Sequence, residues 1–404
     1  MNTGRSYFDH AATTPMRREA IDAMLPLLEA GGYNASALYA EGRAARAALD
    51  RARIAVAKLV GAKPREIVFT SGGSEANTLA IAGTLRARSG GVAGAHIVTA
   101  STEHHAVLHA VDAMRDEGAR VTILDVDADG RIDPGAFAAA LEPETVLATI
   151  MLANNEIGTI APIAELARVA HARGVLFHCD AVQAAGRLPL DVGTLGVDLL
   201  SLSAHKCYGP KGVGALYVRT GTPLGAVVFG GPQEAGLRAG TENVAGIAGF
   251  AAAFSATEAE RTRELPRLEA LRDRLEREIL ASIPGSVVNA AAAPRLGTIA
   301  SVAFEEIDAM ELLVALDLAG ISVSTGSACA AGAAERSHVL AALGAQAWIR
   351  RGTVRFSLGR QTSEQDVVRL TRMLPAAVAV GRVGSGILGT AMRGSLQSPT
   401  EVYS

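Results

Sequence analysis

The stretch that decides the fold is residues 197–214, VDLLSLSAHKCYGPKGVG. It begins as an apolar run typical of a buried strand and ends in a glycine-rich turn, and Lys206 stands between the two. A lysine at a strand exit, beside hydroxyl groups and a histidine, is placed to form a Schiff base with a carbonyl compound. This stretch therefore predicts a reactive lysine at the end of a strand.

A second strand-like run, just upstream, ends in an acidic residue. Residues 175–179 (VLFHC) lead directly into Asp180, and Gln183 follows three positions later. An aspartate at a strand end is the standard partner of the protonated pyridine nitrogen of pyridoxal 5'-phosphate (PLP). Lys206 and Asp180 on neighbouring strands therefore predict a PLP site, and with it an enzyme.

The surrounding chain alternates short β-rich runs with helical stretches from about residue 65 to residue 220. This alternation predicts βαβ units and an α/β fold with a mostly parallel sheet. Ligands of such sheets bind beyond the carboxyl ends of the strands. We therefore expect one cleft to be formed by the loops that follow the predicted strands, at residues 71–73, 103–105, 154–156, 180–183 and 203–206.

The remainder of the chain predicts a second, smaller domain. Residues 256–282 are rich in charge, with leucines at helical spacing, and strand-like and helix-like runs follow them. We predict a large domain over residues 16–255 and a small α+β domain built from residues 1–15 and 256–404. The composition after Ala377, rich in Gly, Ser and small apolar residues, predicts partial disorder.

Composition narrows the class of protein. Of the 404 residues, 49% are hydrophobic and 20% are charged, and the formal net charge is −3 without a basic block, which argues against direct nucleic-acid binding. No apolar stretch is long enough to cross a bilayer, and the N-terminus lacks the apolar core of a signal peptide. The three cysteines are an odd and sparse number, which argues against a disulfide framework and favours a reducing cytoplasm. They include no CxxC pair, which argues against a structural zinc site.

A glycine turn opens a helix at residues 70–75, TSGGSE. Free backbone N–H groups and the positive end of the helix dipole suit a phosphate at such a position. Taken alone, the pattern favours an ordinary βα turn with a serine cap. Together with Lys206 and Asp180 it predicts the phosphate site of the cofactor. The residues expected to hold the phosphate are Gly73, Ser74, Ser203 and His205.

Three further polar residues follow predicted strands. His104 is placed to stack on a pyridine ring, whereas its neighbour His105 is interpreted as structural. Asn155 and Gln183 could each donate a hydrogen bond to the phenolic oxygen of the ring. The pair Asn154 and Asn155 could instead form a turn through side-chain-to-backbone bonds.

Two residues in the C-terminal third are candidates for substrate chemistry. Cys329 lies among small residues, STGSACAAGAA at 324–334, and this pattern predicts an exposed, mobile loop whose thiol acts as a nucleophile. Cys179 and Cys207 are instead predicted to be buried. Arg355 interrupts an apolar strand, where it could clamp a substrate carboxylate or form an interdomain ion pair.

With these residues in place, the chain resembles the cysteine desulfurases of the NifS/IscS type, within the class V aminotransferases of PLP-dependent transferase fold type I. The resemblance spans nearly the whole chain and implies a large domain with a mostly parallel seven-stranded sheet. The length of the loop around Cys329 resembles the group I branch. The matching motifs are AATTP (11–15), TSGGSE (70–75), TEHHAVL (102–108), NNEIG (154–158), SAHKCYGPKG (203–212), RAGT (238–241), STGSAC (324–329) and RFSLG (355–359).

The resemblance implies that the protein takes sulfur from L-cysteine, releases L-alanine and passes the sulfur to an acceptor protein, in iron–sulfur cluster assembly or another pathway. Lys206 would hold the cofactor and act as acid and base at the substrate's Cα, and Cys329 would attack the sulfur and keep it as a persulfide. The other implied roles are ring binding by Asp180, His104, Asn155 and Gln183; phosphate binding by Ser74, Ser203 and His205, with Thr241 from the partner subunit of a homodimer; and carboxylate binding by Arg355 and Asn34.

Some residues depart from the family pattern. Tyr39 stands where the family has a histidine, at an implied substrate-pocket position, and Pro232 and Ala235 replace a common glycine and arginine. Thr78 and Ala330 are smaller departures. Together, these departures leave open the alternative of a selenocysteine lyase, a C–S lyase or an aminotransferase on the same fold. A non-catalytic sulfur-relay protein is a rival hypothesis from another functional class.

Overall fold

The computed structural model describes residues 4–31, 33–88, 90–326 and 337–395, the last of these with side chains to residue 382. The strands are β1 (Ser6–Tyr7), β2 (Ile67–Thr70), β3 (His96–Ala100), β4 (Arg120–Leu124), β5 (Thr145–Met151), β6 (Leu176–Asp180), β7 (Leu199–Ser203), β8 (Gly214–Val218), β9 (Ser286–Val288), β10 (Ile299–Phe304), β11 (Ile321–Ser322) and β12 (Thr353–Ser357). The α-helices are α1 (Arg18–Glu29), α2 (Ala40–Leu59), α3 (Gly73–Ala87), α4 (His105–Asp116), α5 (Pro134–Ala140), α6 (Ile163–His171), α7 (Val192–Leu195), α8 (Val244–Ser282), α9 (Ala309–Leu318), α10 (His338–Ala342), α11 (Ala347–Gly352) and α12 (Glu364–Ser395).

A seven-stranded sheet of order β2-β8-β7-β6-β5-β3-β4 forms the centre of the molecule. Neighbouring strands from β7 to β4 pair in parallel, and β8 alone pairs antiparallel with both β7 and β2. The predicted mostly parallel, seven-stranded sheet is therefore confirmed. Strand β8 was not predicted from the sequence; it directly follows the glycine-rich turn after Lys206.

Helices cover both faces of this sheet, which explains why its central strands are almost continuously apolar. Successive side chains of a strand point to opposite faces. In β2, Val68 accordingly packs into one core with Leu79 of α3, whereas the adjacent Phe69 packs into the other core with Phe177 of β6. The carboxyl ends of β5, β6 and β7 consequently open at a single edge, between the two helical layers.

A smaller antiparallel sheet, β12-β10-β9, packs against α9, α12 and the second half of α8. Helix α8 links the two cores, since Phe250 lies in the first core and Leu275 in the second. Strand β1 also joins the smaller unit by pairing with β11. These contacts support the predicted division of the chain, although the domain limits themselves stay a prediction.

Helix α12 continues to Ser395, past Ala377, after which composition had suggested partial disorder. Among the described helices, none combines the length and the apolar character needed to cross a membrane.

Candidate active site

A cavity of about 370 Å³ opens where the parallel strands end. Most of the site residues predicted from the sequence line it, although they come from distant parts of the chain. The predicted residues that line it are Gly73, Ser74, His104, Asn155, Asp180, Gln183, Ser203, His205, Lys206 and Arg355.

Asp180 is the last residue of β6 and is buried. Its Oδ2 accepts a hydrogen bond from Asn77 Nδ2 at 2.7 Å, and its Oδ1 accepts one from the backbone N of Val182 at 2.9 Å. Two donors thus fix the orientation of the carboxylate. Asn77 was not among the residues predicted from the sequence; its signal was its position three residues after Ser74, on the same face of α3.

Glu103 is a second buried carboxyl group near Asp180, and it too was missed. Its Oε1 accepts a hydrogen bond from the backbone N of Met151 at 2.7 Å. Burial raises the pKa of Glu103 well above its ordinary value, and the charge of Asp180 adds to the effect. Burial of Glu103 therefore favours the neutral form of its carboxyl group over the charged form.

Lys206 follows β7 on a short 3₁₀ turn, Ala204–Lys206, and reaches the N-terminal segment. Its Nζ donates to the carbonyl oxygens of Ala11, at 2.6 Å, and of Ala12, at 2.8 Å. Gln183 Nε2 also donates to the Ala11 oxygen, at 2.9 Å. The AATTP motif therefore forms one wall of the cavity.

The first residues of α3 make an anion cradle at one end of the cavity. A side chain at Gly73 would come within 2.7 Å of Val182 Cγ2, so glycine is required for this close packing. Ser203 Oγ is buried and has no hydrogen-bond partner among the described residues. A phosphate at this helix N-terminus would satisfy the hydroxyl, and this agrees with the predicted phosphate site.

His205 stands beside the same end of the cavity. Its Nδ1 lies 3.1 Å from Thr13 Oγ1, on the N-terminal segment. Burial, together with the nearby charges of Lys206 and Lys211, lowers the pKa of His205 to about 4. In the described structure the imidazole is therefore neutral at pH 7.

His104 caps the N-terminus of α4. Its Nδ1 accepts a hydrogen bond from the backbone N of Ala106 at 3.0 Å, so the proton of the neutral ring lies on Nε2. Burial lowers the pKa of His104 and favours this neutral form. His105, interpreted as structural from the sequence, also lines the cavity, and its ring centroid lies 4.4 Å from that of His338.

The sequence left open whether Asn154 and Asn155 form a turn or face the cofactor, and the structure places the two residues differently. Asn154 Oδ1 accepts hydrogen bonds from the backbone N of Glu156, at 2.8 Å, and of Ile157, at 3.0 Å, and so it builds the turn. Asn155 lines the cavity instead. Its backbone oxygen accepts a hydrogen bond from Arg355 Nη1 at 2.9 Å.

Three of the predicted residues lie away from this cavity. Asn34 is exposed and its Oδ1 accepts a hydrogen bond from the backbone N of Ser36 at 2.8 Å, and Tyr39 is 56% exposed. Thr241 lines a separate cavity of about 140 Å³, and its implied role at the partner subunit's site stays a prediction.

The structure describes two of the three cysteines, Cys179 and Cys207. Cys179 and Cys207 are buried, as predicted. Burial raises the pKa of Cys207 to about 12 and that of Cys179 well above its ordinary value, so both thiols are poor nucleophiles at neutral pH. Cys329 and its predicted loop lie outside the described residues, and their role stays a prediction.

A family model described as aminotransferase class-V matches residues 6–370. The chain belongs to the class V aminotransferase family. The cysteine desulfurase IscS of Dictyoglomus turgidum (strain DSM 6724 / Z-1310) is 46% identical over 361 residues, which cover 89% of this chain and 91% of that protein. The family resemblance predicted from the sequence is thus confirmed.

Solved structures agree. A NifS-like protein superposes with a TM-score of 0.87 at 32% identity, and the match covers 93% of this chain and 100% of that one. A structure described as SspA in complex with cysteine gives a TM-score of 0.77 at 36% identity and covers 87% and 98% of the two chains. These matches confirm the predicted fold, that of the NifS-like PLP enzymes of fold type I.

Proposed function

We propose that this chain is a PLP-dependent cysteine desulfurase, which removes sulfur from L-cysteine and releases L-alanine. The observation that carries the proposal is the meeting of Lys206, Asp180, His104 and Arg355 around one cavity. The names of its relatives and the cysteine-bound structural neighbour support the same reaction.

The residues present fit PLP. Asp180, held by two donors, would bind the pyridinium nitrogen, and the unpartnered Ser203 hydroxyl beside the α3 N-terminus would bind the phosphate. Bound there, PLP withdraws electron density from the Cα of the substrate. The other residues proposed to hold it are Lys206, His104, Asn155, Gln183, Gly73, Ser74 and His205.

The side chains of the chain supply the remaining chemistry. Lys206 takes the proton from the substrate's Cα and returns protons to the carbon skeleton, and the Ala11 and Ala12 carbonyls hold its amine nearby. Arg355 binds the substrate carboxylate. The Cys329 thiolate attacks the substrate sulfur: an S–S bond forms, the Cβ–S bond breaks, and its electron pair stays with the carbon, which takes up a proton to become alanine.

We further propose a cytoplasmic homodimer that passes sulfur to an acceptor protein. Thr241 lines a cavity of its own and is available to a partner copy, as the family resemblance implies. Leu38 and Phe229 are mostly exposed apolar side chains, of a kind that subunit contact covers. Tyr39, one of the departures that motivated other substrates, does not line the described cavity of the single chain.

The direct test compares the wild type with Lys206→Ala. Purified wild-type protein should show the visible absorbance of bound PLP and, with L-cysteine and a reductant, should release sulfide and alanine in equal amounts. Lys206→Ala should lose the absorbance band and the turnover together. Bound PLP without sulfide release would contradict the proposed reaction but not the cofactor site.

A further inference from the structure

Arg355 has an unusual set of partners for a residue expected to bind a ligand. Its side chain is 2% exposed. Nη1 donates to the backbone oxygens of Asn155, at 2.9 Å, and Gly326, at 3.2 Å, and Nη2 donates to Asp9 Oδ1 at 2.6 Å. Three hydrogen bonds thus tie the two Nη atoms to the protein, while Nε is a buried donor with no partner among the described residues.

The N-terminal segment fixes Asp9 in this place. The backbone of Asp9 forms a parallel bridge with Ser357 of β12, two residues beyond Arg355. The Tyr7 hydroxyl donates to the Asp9 carbonyl oxygen at 3.0 Å. The Asp9 side chain is 19% exposed, so its carboxylate is only partly screened by water. Asp9, whose backbone is held in place, therefore balances the positive charge of the buried Arg355 guanidinium.

A substrate carboxylate that binds Arg355 consequently lies close to the negative charge of the Asp9 carboxylate. Two carboxylates on one guanidinium repel each other strongly where water is largely excluded. Apart from histidines, the other acidic and basic side chains among the described residues that line the cavity are Lys206, Asp180 and Glu156, and burial raises the pKa of Glu156. Asp9 thus opposes the binding of any carboxylate ligand, although it also holds Arg355 in its binding orientation.

We propose that Asp9 is a specificity-determining residue, which sets the affinity of the cavity for the carboxylate of its substrate and product. It orients Arg355 and keeps carboxylate binding weak enough for the product to leave. The inference rests on the proposed function, because it takes Arg355 to be the group that binds the substrate carboxylate.

Two substitutions separate the charge of Asp9 from its hydrogen bond. Asp9→Asn keeps an oxygen that can accept from Nη2 but removes the charge, and Asp9→Ala removes both. Equilibrium dialysis of the PLP-loaded protein would measure the binding of labelled L-alanine and, in parallel, of L-alaninamide, which lacks the carboxylate. Asp9→Asn should bind L-alanine about tenfold more tightly and L-alaninamide unchanged, and Asp9→Ala should gain less.

The matched control is Asp308→Asn, which removes another aspartate–arginine pair, to Arg351 Nε at 3.2 Å, outside the cavity. It should bind L-alanine as the wild type does. The effect of Asp9→Asn should also vanish in the background of Arg355→Gln. Asp9→Ser serves as a second neutral variant if Asp9→Asn does not fold.

The inference is overturned if the neutral variants bind L-alanine no more tightly than the wild type, or if their affinity for L-alaninamide changes equally. Failure of the proposed function looks different. In that case the wild type would bind L-alanine but release no sulfide from L-cysteine, and the effect of Asp9 on L-alanine binding could still be measured.

Discussion

At the residue scale, Asn77 is the neighbour on which the cofactor site depends most. Its amide is the side-chain donor to Asp180, and both residues are buried. A buried acceptor that loses its donor keeps the free-energy cost of desolvation without a hydrogen bond to offset it. The orientation of Asp180, and through it the binding of the pyridine nitrogen, therefore depends on a residue that does not itself carry the chemistry.

Asn77→Leu should weaken PLP binding about tenfold, because it removes one of the two donors that hold Asp180. The PLP dissociation constant, measured by equilibrium dialysis, checks this expectation. Thr78→Ala is the matched control on the same helix, since the exposed Thr78 hydroxyl bonds only the Ser74 carbonyl in the described structure. Equal PLP affinity in the wild type and Asn77→Leu would refute this role of Asn77.

At the element scale, a chain of buried polar groups ties the central strands together below the cavity. His178 of β6 contacts Thr149 of β5 through Nδ1, at 2.7 Å, and Ser201 of β7 through Nε2, at 2.9 Å. His178 precedes Asp180 by two positions and so lies on the same face of the strand. The contacts hold in register the three strands whose ends carry the site.

This chain of contacts predicts an acid-sensitive fold. Burial lowers the pKa of His178 to about 3, whereas in the unfolded chain it returns to its ordinary value of 6.5. Between these two pH values His178 binds a proton in the unfolded state but not in the folded state. The contribution of neutral His178 to the free energy of unfolding is therefore fully present above pH 6.5 and is lost as the pH falls toward 3. The loss is about 1.4 kcal/mol per pH unit for this histidine.

Urea unfolding at several pH values between 4 and 6.5 measures that slope, with the range set by the two pKa values of His178. His178→Asn should be less stable at neutral pH but should have a slope shallower by about 1.4 kcal/mol per pH unit. His109→Asn, at an exposed position, controls for the loss of a histidine. An unchanged slope in His178→Asn would show that the fold does not hold this ring neutral.

At the scale of the whole molecule, the N-terminal segment brings the two units together. Phe8 is buried in the core of the smaller unit, and the residues directly after it contact Arg355, Gln183 and Lys206. The unit with the mostly parallel sheet and the unit with the antiparallel sheet thus both contact the N-terminal segment, which forms one wall of the cavity. The site is a property of the assembled chain, not of the large sheet alone.

The sequence predicted the parts of this arrangement that local pattern encodes. Strand ends followed by polar residues were sufficient to predict the cavity, because parallel strands all end at one edge. The Lys206 and Asp180 pair and the glycine turn at Gly73 were likewise visible, since each is a residue type at a strand end.

The remaining features depend on contacts between distant residues, and a local pattern does not identify the partner in such a contact. The Asp9–Arg355 pair joins positions 346 residues apart, and the Asn77–Asp180 bond joins positions 103 apart. The raised pKa of Glu103 likewise follows from burial that only the folded chain creates. These are tertiary effects, and they determine how the visible residues are held.

The most direct test of the account follows the sulfur atom itself. PLP-loaded protein, treated with L-cysteine in the absence of a reductant, would be digested and the peptides with Cys179, Cys207 and Cys329 weighed by mass spectrometry. The account predicts one added sulfur atom on the peptide with Cys329 alone, released alanine to match, and neither product in Lys206→Ala. Alanine formed while Cys329 stays unmodified, or sulfur found on Cys179 or Cys207 instead, would contradict it.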